Sequence, residues 1–295
     1  MKRKSIVCYY IMMLPGLVML IMFNLVPLCG LVMAFQKFSP GKGIVGSPWV
    51  GLENFRFMFS MNDTFKILYN TFYIAFFKII GNLIVPLIFA LMLNEVRQMH
   101  FKRTVQTIVY LPHFLSWVIL ASIILNVFGY EGPVNSILQF FGRERIMFFA
   151  NEKMFPWLII ITDIWKEYGF NAVIYLAALT GIDQALYEAA MVDGAGRWKQ
   201  LWHITLPEIR TTIVLLTVLA LGNVMNANFD QIFNLYNPLV YSTGDIIDTW
   251  VYRTGLVNLQ FSLATAVGVL KSFVGFVMIS ISYFLASKFA DYHIF

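Results

Sequence analysis

Charge is scarce in this chain of 295 residues. Asp, Glu, Lys and Arg together make up 13% of it, where a soluble domain carries about a quarter, and that shortage excludes an ordinary water-soluble domain. Cysteine is almost missing as well. Cys8 and Cys29, the two present, lie on one expected helix about 30 Å apart at 1.5 Å per residue, too far to bridge each other. Catalytic motifs are wanting too. Gly41-Lys42-Gly43 lacks the spacing of a phosphate-binding loop, and neither a zinc-protease H-E-x-x-H nor a serine-nucleophile motif occurs. His100, His113 and Met12-Met13 have no ligand-like spacing and read as structural, so no metal is expected. The chain reads as a non-enzyme. No repeat, low-complexity tract or linker divides it, which leaves a single transmembrane domain, 1–295.

What fills the chain is apolar: 59% of residues are hydrophobic, 28 are phenylalanine, and mean hydropathy is +0.71. Runs long enough for a hydrocarbon core, which asks for about 20 residues per helix, recur at roughly 6–35, 68–93, 104–128, 155–180, 207–235 and 263–287. The expected fold class is all-α integral membrane with six transmembrane helices, so both ends share one side. The start has the basic head and apolar body of a signal peptide, but the run continues to Ala34 without a small-residue cleavage site and reads as a retained helix. Val26-Pro27-Leu28-Cys29 places leucine where a lipobox needs a small residue. A net charge of +5 and pI of 9.1 raise nucleic acid as a partner, but the basic residues are spread between loops, so membrane topology explains them instead. With the N-terminus inside, Lys2, Arg3, Lys4, Arg97, Lys102, Arg103, Arg197, Lys199, Arg210 and Lys288 fall on the inner side. Lys37, Lys42, Arg56, Lys66, Arg143, Arg145, Lys153 and Arg253 fall outside, a weak bias whose inner members crowd short loops.

The inner connection 181–206 is the least lipid-like part. Asp183 can cap a helix from about Gln184 to Asp193, ended by Gly194 and Gly196. A second short helix is expected over Arg197–Ile204, with Trp198, Leu201 and Trp202 on one face. Thr205-Leu206-Pro207-Glu208 then reads as a capping box that starts the fifth membrane helix. Neither short helix is stable alone, since isolated helices below about 12 residues are marginal. They pack on a partner, or they lie on the headgroups as an interfacial amphipath.

Here E-A-A-x-x-D-G-A followed by I-x-L-P resembles the signature of the membrane subunits of binding-protein-dependent ABC importers. It stands as Glu188-Ala189-Ala190, Asp193-Gly194-Ala195 and Ile204, Leu206-Pro207. Trp202 takes the place of the usual aromatic, and Arg210 replaces a frequent later proline. Gly51-Leu52-Glu53-Asn54-Phe55, Tyr110-Leu111-Pro112, Ile174-Tyr175-Leu176-Ala177-Ala178-Leu179 and Asp248-Thr249-Trp250-Val251-Tyr252-Arg253 resemble the branch that imports complex saccharides. The resemblance implies a type I importer permease fold and makes the inner loop a cytoplasmic coupling helix. Glu188, Ala189, Ala190, Asp193, Gly194, Trp198, Leu201, Trp202, Leu206 and Pro207 would then meet an ATPase. It implies as partners a second permease subunit, read as a different chain, two cytoplasmic ATPase subunits, an extracytoplasmic sugar-binding protein and membrane lipid. ATP and Mg would sit on the ATPase, with no cofactor on this chain. The expected location is the bacterial plasma membrane, multi-pass, with both termini cytoplasmic.

Charged groups inside spans are costly and usually face a cavity or a partner. On the fourth helix Asp163, Lys166, Glu167 and Asn171 share a face that is either a polar wall of a path or an intrahelical ion pair with a spare acid. On the fifth, Asn223, Asn226, Asp230 and Asn234 would form one stripe of about 80° if the helix were continuous. That stripe suits a path that exchanges hydrogen bonds with sugar hydroxyls, the alternative being glue between helices. Gly268, Ser272 and Gly275 form a small-residue face on the sixth helix, and Lys271 beside it is expected to pair with an acid on a neighbouring helix or on a second subunit. The expected function is a permease subunit moving a sugar or oligosaccharide. The alternatives are another solute on the same machine, or an ion-coupled secondary transporter, which would show two related halves.

Overall fold

The computed structural model describes the backbone of residues 2–290 and the side chains of 9–284. Cys8 and the inner-side charges of Lys2, Arg3, Lys4 and Lys288 thus have side chains outside the described residues. Regular structure is helical throughout the described residues apart from one isolated bridge between Gln36 and Trp49. In chain order the main helices are α1 (Lys2–Leu20), α2 (Asn62–Asn94), α3 (Met99–Phe114), α4 (Trp117–Val127), α5 (Phe155–Thr180) and α6 (Gln184–Val192). Then follow α7 (Arg197–Glu208), α8 (Arg210–Leu221), α9 (Phe229–Leu235), α10 (Ile247–Tyr252) and α11 (Phe261–Ala290).

The chain forms two compact units. One comprises Met1–Phe65 with Ile247–Ser272, the other Lys66–Ile246 with Phe273–Phe295. In the first, the apolar helix continues past α1 through a widened turn at Ile21–Leu25 and a tightened one at Cys29–Phe35. Pro27 lacks the N–H that would bond back to the Phe23 carbonyl, which loosens the turn before it. Phe35 stacks on Trp49 with ring centres 5.6 Å apart, and the Asn54 amide donates to the carbonyls of Ala34 and Gln36, at 2.8 and 3.0 Å. These contacts bind the first extramembrane loop to the helix end. The stretch after Gly244 holds α10, and Asp248 on it accepts from Lys271 of α11 at 2.5 Å. Lys271 therefore pairs within the chain. Gly268 and Gly275 have open space where a Cβ would be.

In the second unit, α2, α4, α5 and α9 meet in a cluster that includes Ile74, Trp117, Leu120, Phe155, Ile159, Ile232 and Leu235. A separate cluster joins Ala90 and Leu93 of α2 to Ala172, Tyr175 and Leu179 of α5, with Ile182 and Ile209 beside them. Where α5 crosses α3, Gly169 lets the backbones touch: a Cβ there would lie 2.4 Å from the Val109 carbonyl oxygen. Forcing a methyl into that gap costs roughly 1–3 kcal/mol. Gly169→Ala is expected to lower the melting temperature of the detergent-solubilised protein, read by the loss of helical signal on heating.

Two expectations about helix continuity need correction. The third run, 104–128, is not one rod: α3 and α4 meet at a bend of 105°, where Leu115 is extended and the Ser116 hydroxyl caps α4 by accepting from the Ile119 N–H. The fifth run, 207–235, is broken twice. α7 passes straight through Thr205, whose φ of −60° and ψ of −53° are helical, so the capping box does not form. The second loop helix accordingly runs to Glu208 and turns by 59° at Ile209 into α8. α8 ends at Leu221, and the backbone is non-helical before α9 begins at Phe229. Among the described residues three helices are long and apolar enough to cross a membrane, Tyr9–Phe35, Asn62–Asn94 and Phe261–Phe284, and each bent pair counted as one span raises that to five. α5 has the length but carries Asp163, Lys166 and Glu167 at its middle.

Candidate functional site

The break in the fifth run builds the site. Asn side chains compete with the helix for backbone partners, and Asn223, Asn226 and Asn228 crowd the stretch after Gly222. The Asn223 amide donates to the Leu219 carbonyl at 3.2 Å. Asn226 Oδ1 accepts from the Asn228 N–H at 3.3 Å, and Asn228, at φ +70°, caps α9 by accepting from the Gln231 N–H. Non-helical backbone at membrane depth must be satisfied by protein. Here Lys78 of α2 supplies the missing donor, its ammonium giving a 2.9 Å hydrogen bond to the Ala227 carbonyl.

That lysine anchors a buried network. Its other partners are Asp163 Oδ1 of α5, at 3.0 Å, and Gln231 Oε1 of α9. Asp163 also accepts from the amides of Asn228, at 3.3 Å, and Asn82, at 3.0 Å. Gln231 donates to the Ile159 carbonyl and to the Thr162 hydroxyl, at 2.8 and 2.9 Å. The side chains of Lys78 and Asp163 are 7% and 8% exposed, so both charges are desolvated and each is neutralised by the other. A second set lies one turn along α5. Lys166 donates to Glu167 at 2.9 Å and to the His113 carbonyl at 2.7 Å, and its ammonium stands 5.5 Å from the centre of the Trp117 ring. His113 Nδ1 is 2.6 Å from Glu167 Oε2, with its ring stacked on Phe170 at 3.9 Å.

A cavity of about 810 Å³ opens beside these groups, within the 300–1,000 Å³ typical of small-molecule sites. Of the expected path residues, Asp163, Glu167 and Asn171 on α5 line it, as do Asn223, Asn226 and Asp230. Lys166 and Asn234 do not. Lys166 turns away to His113 and Trp117, and the Asn234 amide bonds the Asp230 carbonyl at 2.7 Å. The single helical stripe on the fifth span is therefore replaced by an unwound turn and the first residues of α9. Lys78, Asn82 and Asn228 line the cavity without having been read from sequence. Lys78 carried a signal, an ionisable residue in the middle of the second apolar run. The bonds that Asn82 and Asn228 make to Asp163 are long-range and left none.

The other expected site forms a loop apart from the cavity. Asp183 Oδ1 accepts from the Ala185 N–H and caps α6. Gly194 ends that helix at φ +74°, with the Ala195 N–H reaching the Ala190 carbonyl and the Gly194 N–H the Met191 carbonyl. One side of the loop is held by the chain: Tyr187, Ile204 and Leu206 pack on the second cluster, and the hydroxyls of Tyr187 and Thr205 meet at 2.9 Å. Ala190 and Leu201 are half-buried. The other side is open. Glu188, Ala189, Asp193, Gly194 and Pro207 are exposed, and Trp198 and Trp202 are 75% and 62% exposed. Arg197 of this loop lies 3.6 Å from Glu95 in the connection after α2.

The family model described as "Binding-protein-dependent transport system inner membrane component" matches residues 82–291. The polygalacturonan/rhamnogalacturonan transport system permease protein YteP of Bacillus subtilis (strain 168) is 44% identical over 285 residues, 96% of this chain and 88% of the relative. Protein LplB of the same organism is 41% identical over 95% of this chain and 88% of its own length. Among solved structures, a chain of a bacterial ABC transporter involved in the import of the acidic polysaccharide alginate superposes with a TM-score of 0.90 at 35% identity, covering 97% of both chains.

Proposed function

The chain belongs to the inner membrane components of binding-protein-dependent transport systems, and from that membership we propose that it is the permease subunit of an ABC importer carrying a sugar or oligosaccharide. The observation that carries the reading is the cavity: amides and carboxylates from α2, α5 and the unwound segment converge on a space of small-molecule size. Such groups trade hydrogen bonds with hydroxyls without gripping any one of them, as release demands. Relatives named for polygalacturonan, alginate and arabinooligosaccharides support the saccharide class.

In this reading the protein is one permease domain with six spans and both termini in the cytoplasm. α5 completes the count, with Asp163 paired to Lys78 and Glu167 to Lys166. The chain itself is not the ATPase. Two ATPase subunits grip the loop through Glu188, Asp193, Trp198 and Trp202, a second permease completes the pore, and an extracytoplasmic binding protein delivers the sugar. A structure of the alginate transporter with an alginate pentasaccharide-bound periplasmic protein supports the last of these. The exposed tryptophans beside a packed rear face support the grip. Closure of the ATPases would move α6 and α7, and the bend at Ile209 would pass that motion to α8 and the unwound segment. The motor must bind two states of the loop unequally for this to work.

The test is copurification of the chain with its partners in lipid, followed by a screen of glycans for stimulation of ATP hydrolysis. A saccharide that raises turnover at least about tenfold, the size of an ordinary allosteric coupling, is the expected result. Uptake that survives ATP depletion and collapses with the ion gradient would overturn it.

A further inference from the structure

Resting on the sugar-path reading, we infer that the saccharide passing through this subunit's cavity is uncharged, and that Asp230 excludes sugars bearing a carboxylate. The cavity wall holds one cation, Lys78, against three carboxylates, those of Asp163, Glu167 and Asp230. An ammonium has three N–H donors. All three of Lys78 are taken, by Asp163, the Ala227 carbonyl and Gln231, so none is left for a ligand. Lys166 stands behind the wall with its donors on Glu167 and the His113 carbonyl. Glu167 in turn is held by Lys166 and His113.

What remains in the lumen is different in kind. Asp230 is exposed at the cavity, and among the described residues its carboxylate accepts no hydrogen bond and meets no cation. The amides of Asn171, Asn223 and Asn226 line the same cavity. A sugar hydroxyl can donate to Asp230 and accept from an amide. A uronate carboxylate finds no counter-charge and a like charge, and like-charge juxtaposition suppresses a partner strongly. Discrimination of this kind comes from a repulsive element as much as from an attractive one.

The experiment compares a galacturonic acid trisaccharide with its fully methyl-esterified form, which has the same ring skeleton without the charge. Each is titrated into the purified transporter complex, without binding protein, and bound sugar is read by saturation-transfer NMR. The ester should bind at least about tenfold more tightly than the acid, and Asp230→Lys should shift that ratio at least about tenfold towards the acid. Asp230→Asn, which keeps the shape, should move it the same way by less, and it serves if the lysine variant fails to assemble. Equal binding of acid and ester, or a ratio that neither substitution moves, would overturn the inference alone. Binding of neither form at millimolar sugar would count against the sugar path itself, and the inference would fall with it.

Discussion

Lys78→Met will cost the protein roughly 3–5 kcal/mol, because removing one member of a buried ion pair leaves the other charge uncompensated. Asp163 would keep the amides of Asn82 and Asn228 but lose its cation. The Ala227 carbonyl, in non-helical backbone, would lose its donor, and so would Gln231 Oε1. Methionine matches the aliphatic stem, so lost packing contributes little. The measurement is the thermal midpoint of the purified protein in detergent, with the double variant Lys78→Met, Asp163→Asn beside it. Removing both charges should recover a good part of the loss, since an apolar or neutral pair is often tolerated where a lone buried charge is not. A single variant as stable as wild type would show that the network does not hold the unwound segment.

Glu188→Lys is expected to have the opposite profile, an intact fold and a failed machine. Among the described residues the Glu188 side chain forms no hydrogen bond or ion pair, and it stands exposed on α6. Surface substitutions of this kind stay within about 0.5 kcal/mol of wild type, so the melting temperature should not move. A charge reversed in the centre of the proposed ATPase contact should nonetheless cut sugar-stimulated ATP hydrolysis and uptake more than tenfold. Gly194→Pro gives a second route to the same end. Proline fixes φ near −65° where the chain requires +74°, and it removes the N–H that bonds the Met191 carbonyl. It should displace Trp198 and Trp202 relative to α6. Sugar-dependent turnover unchanged in both variants would remove the loop from the coupling path.

Much of the local structure was legible in the sequence because its causes lie within a few residues. Asp183 as a cap and Gly194 as a stop wrote the ends of α6, and both are observed. Thr205 misled for a related reason. Its capping pattern is genuine, but Ile204 and Leu206 on either side of it already pack on the second cluster in a continuous turn, and that burial outweighs the local cap. The broken fifth run was mistaken for a helix because apolar periodicity ignores three asparagines that prefer to satisfy backbone groups.

The sequence by itself determined the solvent this protein lives in, the helical class, the signature loop and the identity of most polar residues near the cavity. Those follow from composition and from spacings of a few residues, which the backbone converts directly into faces and ends. Only the tertiary structure decided which of those residues meet. Asp163 finds Lys78 across 85 positions, and Lys78 finds Ala227 across 149. A charge buried in a span has to be matched by whatever donor or counter-charge the packing brings to it, and no short-range pattern encodes that partner. The same pairing consumes the one cation that lines the cavity and leaves Asp230 exposed in it, so the charge of the cavity is a property of the fold.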